Sequence, residues 1–535
     1  MKKLLLTITI YLVSAADVPA QYNTWIQFKD KNGTSGTFTK PTSYLSERAI
    51  NRRAKQQIQI DSTDLPISRT YVNQVLAKGV RLKNTSKWLN GITVAMNDTS
   101  ALLELRKLPF VKHLELTLVP SDYTASSISK TVRMTKAALD PTYGDAFHQI
   151  DIHNGQKLHS AGYRGKGLAI GVLDGGFYKA NEILVFDSLF QQNRLVGVRN
   201  FADSTSDFFS INMSHGTSVL SVMAANLPGK MIGAAPDASY WLLRTEYAPT
   251  EYPVEVDNWV AGIEFADSAG VDIVNSSLGY TEFDYSGMNY TYQTLNGRTS
   301  RASIAANLAA RKGMIVVNAA GNDGSKSWHY ISVPSDADSI LCVGAVDANG
   351  NIANFSSYGP SSDGRVKPDV CAMGYQTIVA SIDGIYPSSG TSFATPIIAG
   401  LVACVWQSLP HLNNIEIINL MKKYSSLHAS PNNSLGYGIP DVYALYDENR
   451  LVSGISANAI SKDVTAYFSG GNLVIQQVGE EKATATLFSI TGQKLGEWQW
   501  EDKVNISNWN LLPRGTYLLS VEAHSTRIVL KLLKR

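Results

Sequence analysis

The chain has 535 residues, which is long enough for two to four domains rather than a single core. With 44% hydrophobic and 17% charged residues and a formal net charge of +2, it is balanced for globular folding and lacks the concentrated basic face that nucleic acid requires. Its three cysteines, Cys342, Cys371 and Cys404, sit in apolar runs and read as small buried hydrophobes; no CxxC or HExxH occurs, so zinc sites with a sequence signature are excluded.

The N-terminus opens with Met1-Lys2-Lys3, an apolar run from Leu4 to Val13, and the small residues Val18-Pro19-Ala20. This order predicts a secretory signal peptide over residues 1–20, cut after Ala20, and the run is too short for a membrane span. No comparable stretch follows, so a soluble exported protein without a transmembrane span is expected.

Residues 21–120 alternate strand and helix signals: YNTWIQFKD as strand, SYLSERAINRRAKQQ and DLPISRTYVNQVLAKG as helices, KWLNGITVAMN as strand, TSALLELRKL as a helix after a Thr/Ser cap, and FVKHLELTLV as strand. They predict a small α+β unit, with the basic RRAK on a solvated helix face. Residues 121–139 form a polar linker, and turn-rich sequence continues to about 165. From there short Val/Ile-rich runs alternate with helical segments: LAIGVLD, VLSVMAANL, ASYWLLR, VAGIEFADSAG, VDIVNSSLG, RASIAANLAARKG, MIVVNAAGN, SILCVGAVD, then an apolar helix after SGTSFATP. That pattern predicts an α/β domain over 140–448 with a buried parallel sheet. Beyond Leu451 the alternation has period two, and residues 452–535 read as a small antiparallel β-sandwich.

Within the α/β domain, four residues of the right chemistry stand at element ends, where open α/β sheets place their ligands. Asp174 ends a strand before Gly175-Gly176 and is either a turn aspartate or the acid that orients a histidine. His215, in SHGTSV, opens an apolar helix beside a glycine. Asn322 follows MIVVNAAG and suits both a turn and an amide donor to an oxyanion. Ser392 starts the apolar helix, with Pro396 taken to mark its first turn. Unpaired N–H groups at a helix start can face an oxyanion, so Ser392 would bring both an attacking oxygen and a donor. Ser389 and Thr395 read as local hydrogen-bonding groups.

Together VLDGG, SHGTSV, VNSSLG, NAAGN and GTSFATP, in this order, resemble the subtilisin family of serine proteases over about 140–448. The order Asp…His…Ser fits that family and not α/β-hydrolases, and GTSFA lacks the second glycine of G-x-S-x-G. The resemblance implies a subtilisin-like three-layer fold and a secreted serine endopeptidase made as a zymogen and acting through an acyl-enzyme. It implies Asp174, His215 and Ser392 as triad and Asn322 as oxyanion donor. It also implies that Ser277, Leu278, Gly279, Ala319, Ala320 and Gly321 line the specificity pocket, where small residues leave room for an apolar or broad preference. No cofactor is required for the chemistry. Structural calcium is common in the family, but the oxygen-rich DANGN and SSDGR also read as plain turns, and calcium stays unassigned. The Tyr-rich stretch after Gly279 either rims the cleft or packs on itself.

The N-terminal unit stands where the family carries a propeptide that blocks the cleft, with maturation between about 118 and 140. LFSITGQKL and LPRGTYLLSVEAHSTRIVLKLLKR, through Gly492, Gly515, Tyr517, Lys531, Lys534 and Arg535, resemble a type IX secretion sorting domain; a substrate-binding β-module fits the same strands. The expected partners are therefore protein or peptide substrates, the chain's own propeptide and the secretion machinery of a Gram-negative bacterium. A non-catalytic adhesin or decoy on the same scaffold is the competing class, and reaction with a fluorophosphonate separates the two.

Overall fold

The computed structural model describes residues 22–119, 140–203, 207–247, 249–450, and in the C-terminal part 464–469, 472–477, 482–501, 503–506, 511–513, 515–523 and 526–534. The segment read as a signal peptide, the linker at 121–139 and Arg535 lie outside the described residues. The chain divides into two compact units, 1–448 and 449–535.

The N-terminal sheet has four antiparallel strands: β1 (Tyr22–Phe28), β2 (Arg81–Ser86), β3 (Gly91–Met96) and β4 (Val111–Leu118), in the order β2-β3-β1-β4. Helices α1 (Glu47–Lys55), α2 (Arg69–Leu76) and α3 (Ala101–Arg106) accompany it. Ile26, Phe28, Ile92, Val94 and Met96 pack with Val72 and Val75 of α2, so the apolar alternation of the strands finds one buried face. Two elements differ from expectation. KWLNGITVAMN holds a turn at Asn90, with φ +52°, before β3 begins, and the polar β2 ahead of it gave no apolar signal. The second helix starts only at Arg69, past Pro66.

The larger correction concerns RRAK. Arg52 and Arg53 are 5% and 1% exposed, not solvated. Helix α1, whose Ser46 N-cap accepts from Ala49 N, lies against the α/β domain. Both guanidiniums converge on the fully buried Asp267, at 2.5 Å from Arg52 and 2.8 Å from Arg53. Charge patterning along one helix cannot reveal an acid held 214 residues away.

The α/β domain is built on seven parallel strands: β5 (Ala169–Asp174), β6 (Leu195–Asn200), β7 (Ser239–Arg244), β8 (Ile273–Ser276), β9 (Ile315–Ala319), β10 (Leu341–Val346) and β11 (Val370–Met373). Their order is β11-β10-β9-β8-β5-β7-β6. Side chains alternate between two cores: Ile170, Val172, Ile273, Ile315 and Val317 on one face, Leu173, Val274 and Val316 on the other. Helices α4 (His215–Ala224) and α7 (Thr391–Ser408) cover the first face, and α5 (Pro253–Ala269) and α6 (Arg301–Arg311) the second. This is the three-layer arrangement expected for near-continuous apolar strands. Among the described residues α7 alone is long and apolar enough to cross a membrane, and 89% of it is buried as the central core helix. The segment 140–165, expected as turns, contains short helices at Phe147–Asp151 and Gly155–Ser160. All three cysteines are buried and free.

Chain order fixes where ligands can bind. The chain leaves β5 for β6 and β7 on one side, then crosses β5 to lay down β8 to β11 on the other. The loops after β5 and β8 therefore diverge and open a crevice at the carboxyl ends of the strands.

The second unit holds two antiparallel sheets, one of three strands (464–469, 472–477, 503–506) and one of four (494–500, 483–489, 515–523, 526–534). Ile475 and Ile506 from one sheet pack with Ala485, Leu487, Leu519 and Val521 from the other, which is a sandwich core. Gly492 takes φ +87° in the hairpin turn, and the Tyr517 hydroxyl donates to Pro513 O at 2.5 Å. Gly515, Lys531 and Lys534 lie on the last two strands.

Candidate active site

Strand β5 delivers Asp174 fully buried at its carboxyl end. Oδ1 accepts from Gly175 N at 2.8 Å and faces His215 Nδ1 at 2.8 Å, with Oδ2 at 3.1 Å. His215 is the first residue of α4, and the close approach depends on Gly216. A Cβ there would lie 2.5 Å from Gly176 O and 2.9 Å from Asp174 Cβ. Glycine is required because backbone and the acid itself fill the space. Burial pushes the imidazole down, but the nearby Asp174 carboxylate, aided by Glu246, outweighs it and holds His215 above its ordinary value.

Ser392 is the second residue of α7, one residue later than a strict helix start, and is 8% exposed. Pro396 is not in the first turn as expected; it lies inside the helix. Lacking an N–H, it leaves the carbonyl of Ser392, four residues back, without its helical donor. Ser277 supplies one: its Oγ donates to Ser392 O at 2.8 Å, while Ser392 Oγ donates to Ser277 O at 3.3 Å. The proline thus ties the helix start to the end of β8.

Asn322 Oδ1 accepts from Thr391 N at 2.9 Å and from Thr391 Oγ1 at 3.1 Å. An amide N–H can only donate, so the side-chain oxygen must face the helix and the NH₂ points away from it. The helix start is therefore capped from outside the SGTSFATP segment. Ser389 Oγ accepts from Gln376 N, and Thr395 Oγ1 donates to Thr391 O.

Asp174, His215, Asn322 and Ser392 line one cleft of about 490 Å³, together with Ser277, Leu278, Gly279, Ala319 and Gly321. Ala320 departs from expectation: it is fully buried in the second core, with Ala320 N bonded to Val343 O, and does not line the cleft. In the Tyr-rich stretch, Tyr280, Phe283 and Leu295 are core residues, and Thr281 reaches the cleft.

Sequence reasoning missed Glu246, Glu251 and Glu255 on the same cleft wall as Asp174 and His215. Their carboxylates approach within 4.8 Å, the one group of three among the described residues able to hold a cation. Glu255 already accepts from Tyr247 N and Tyr252 N, and Glu246 from the Tyr280 hydroxyl at 2.5 Å. Both Glu255 oxygens and one Glu246 oxygen thus already accept a hydrogen bond, and calcium stays unassigned. Burial, reinforced by neighbouring carboxylates, pushes Glu246 up to about 7 and Glu251 up to about 8. The trio lies within ten residues of chain, Glu246 and Glu251 in the loop after β7 and Glu255 in the first turn of α5, and the pairing of β7 with β5 sets it beside Asp174. DANGN is a plain turn, with Asp347 accepting from Asn349 N and Asn351 N, and in SSDGR Asp363 pairs with Arg365.

Residues 165–438 match the subtilase family, and residues 23–133 match the Bacteroidota peptidase S8 propeptide domain. The chain is 27% identical over 389 residues to subtilisin NAT of Bacillus subtilis subsp. natto, covering 71% of this chain and 88% of that protein. It is 30% identical over 298 residues to subtilisin DY of Bacillus licheniformis, covering 54% of this chain and 93% of the relative. Among solved structures it is similar to MycP1 from the ESX-1 type VII secretion system, with TM-score 0.45 and 20% identity over 59% of this chain and 88% of that one. The chain belongs to the subtilase family: it is a subtilisin-type serine endopeptidase that carries an S8 propeptide domain, and hence a zymogen.

Proposed function

We propose that the protein hydrolyses peptide bonds through an acyl-enzyme formed on Ser392. The observation that carries this is the 2.8 Å pairing of buried Asp174 with His215 in the cleft that Ser392 lines. Asp174 fixes the imidazole with Nδ1 protonated, leaving Nε2 to accept the Ser392 proton. The Ser392 hydroxyl rotates from Ser277 O towards His215, attacks the scissile carbonyl carbon, and gives up its proton. The negative oxygen that forms is met by the Asn322 amide and the Ser392 N–H. His215 then protonates the leaving amine, the C–N bond breaks, and water, activated by the same imidazole, releases the acid. Ser277, Leu278, Gly279, Ala319 and Gly321 hold the substrate beside it.

The same reading covers the rest of the chain: export by a signal peptide at 1–20, a propeptide at 21–120, maturation within 121–139, and a protease at 140–448. The sandwich at 452–535 is a type IX sorting domain, placing the protein outside a Gram-negative cell or on its surface. Support for it is the sandwich core with Gly492 and Tyr517 at a turn and a strand. The deciding experiment is labelling of the processed protein by a fluorophosphonate, with Ser392→Ala as control. Labelling lost in the variant is expected; correctly matured wild-type protein that stays unlabelled would leave only the scaffold reading.

A further inference from the structure

Asp174 is followed by two glycines, and a Gly-Gly pair leaves the backbone freer than any other. Larger residues cannot remove that freedom, since a Cβ on Gly176 would lie 2.7 Å from Met213 Cβ and 2.9 Å from Met213 O. Yet this turn has to hold the Asp174 carboxylate 2.8 Å from His215 Nδ1, and Gly175 N donates to the same Oδ1 at 2.8 Å. The orientation of the turn therefore sets the orientation of the acid. A group outside the turn has to pin it.

The register of the sheet brings Arg244 to that place. Asp174 on β5, Arg244 on β7 and Asn200 on β6 stand in one row across three strand ends, and Thr245 N donates to Asp174 O at 3.0 Å. Arg244 is 3% exposed, and its Nε donates to Gly175 O at 2.8 Å. Its Nη1 donates to Asp203 Oδ2 at 2.5 Å and to Asn200 Oδ1 at 3.3 Å. Asn200 also closes the turn that carries Asp203: its Oδ1 accepts from Ala202 N at 3.0 Å, and its Nδ2 donates to Asp203 Oδ1 at 2.9 Å. A guanidinium is a rigid planar fork, so fixing Nη1 on the 200–203 turn fixes where Nε points. The buried cation is thus anchored on one side and aimed, on the other, at the peptide that follows the triad acid.

We propose that Arg244 is a positioning residue for the triad: by holding Gly175 O it locks the Gly-Gly turn in the orientation that points Asp174 at His215. This rests on the serine protease reading above and adds a residue to its machinery. Arg244 does not line the cleft, so it acts through Asp174 and not on the substrate. The leverage is large, because displacing a catalytic group by about 1 Å can cost about 10²-fold in rate.

Two charge-conserving substitutions test this, so that a shift in the titration of His215 reports geometry and not a lost charge. Arg244→Lys keeps the cation without the fork. Asn200→Ala, at the half-buried end of the edge strand β6, loosens the fork's anchor. Each is made in the full chain, allowed to self-process, and titrated with diisopropyl fluorophosphate, so that rates refer to active sites alone. A succinyl-Ala-Ala-Pro-X-p-nitroanilide, with X as Ala or Phe, gives kcat and KM; the rate of reaction with the fluorophosphate against pH gives the acid limb. Arg244→Lys should lower kcat at least about tenfold and Asn200→Ala about threefold, with KM within about twofold of wild type. In both the limb should move to lower pH, because an acid turned away no longer holds His215 above its ordinary value. An unchanged kcat in Arg244→Lys overturns the proposal; so does a loss of kcat with the limb unmoved, the mark of a merely structural role. If Arg244→Lys leaves no titratable sites, Asn200→Ala decides by the same two readings. Wild-type protein that does not react with the fluorophosphate sinks the protease reading and this inference with it, whereas reactive wild type with unaltered variants sinks the role of Arg244 alone.

Discussion

Asp267→Asn tests how the propeptide domain is held. Asp267 sits near the end of α5 with no exposed surface and receives Arg52, Arg53 and, at 3.3 Å, Lys87. These cations drag its carboxyl from 3.8 down to about 2 despite burial. A shift of that size corresponds to roughly 2.5 kcal/mol of preference for the charged form. Removing one member of a buried pair costs about 3–5 kcal/mol, because the partner's charge stays buried. The loss falls mainly on Arg52. Arg53 keeps Asp64 at 2.8 Å, whereas Arg52 is left with the carbonyls of Val271, Lys312 and Asp267. The two magnitudes bracket a weakening of propeptide binding of about 10²–10⁴-fold. The assay is serial dilution of the self-processed complex, following the concentration at which peptide hydrolysis appears. Lys107→Ala, which removes an exposed pair with Glu104, is the control and should change affinity by less than about threefold. If Asp267→Asn moves the dissociation constant no more than that control, the buried cluster does not hold the domain. The sign with pH follows from the lowered carboxyl: its contribution is complete above the ordinary aspartate value and is lost only as pH falls through about 2. Mild acid should therefore not release the propeptide through this contact.

Asn322→Ala should lower kcat by roughly 10²–10³-fold with little change in KM, a magnitude taken from the equivalent donor in subtilisin itself. Because only neutral imidazole can take a proton and Asp174 holds His215 above 6.5, the acid limb of kcat/KM should fall above pH 6.5. Glu246→Gln should move that limb to lower pH; an unmoved limb would show that this carboxylate does not act on His215. Ser277→Ala leaves the carbonyl freed by Pro396 without a donor and should cost about 1–3 kcal/mol in denaturant unfolding. An unchanged midpoint would mean that water replaces the hydroxyl.

Asp174, His215, Asn322 and Ser392 were legible in the sequence because each stands in a short motif whose neighbours are dictated by local geometry. Gly216 is there because Asp174 occupies the space of its Cβ, and the motif SHGTSV records that contact. The apolar strands were legible for a related reason: both faces of the sheet are covered, so the runs are continuous. Other residues were illegible because their partners are distant in the chain. RRAK looks like any solvated basic face until Asp267 is placed beside it. The three glutamates of the cleft lie on a loop and a helix with ordinary local patterns.

The sequence by itself determined the class of chemistry and the order of the elements, since both are written in local spacing and strand periodicity. Tertiary structure alone decided what those residues meet. It turned Pro396 from a boundary marker into the reason Ser277 binds Ser392. It moved Ala320 into the core, and it filled the space beside Gly279 with Ser332. A small residue in a sequence says only that something comes close; which atom does so is settled by the packing of segments far apart in the chain.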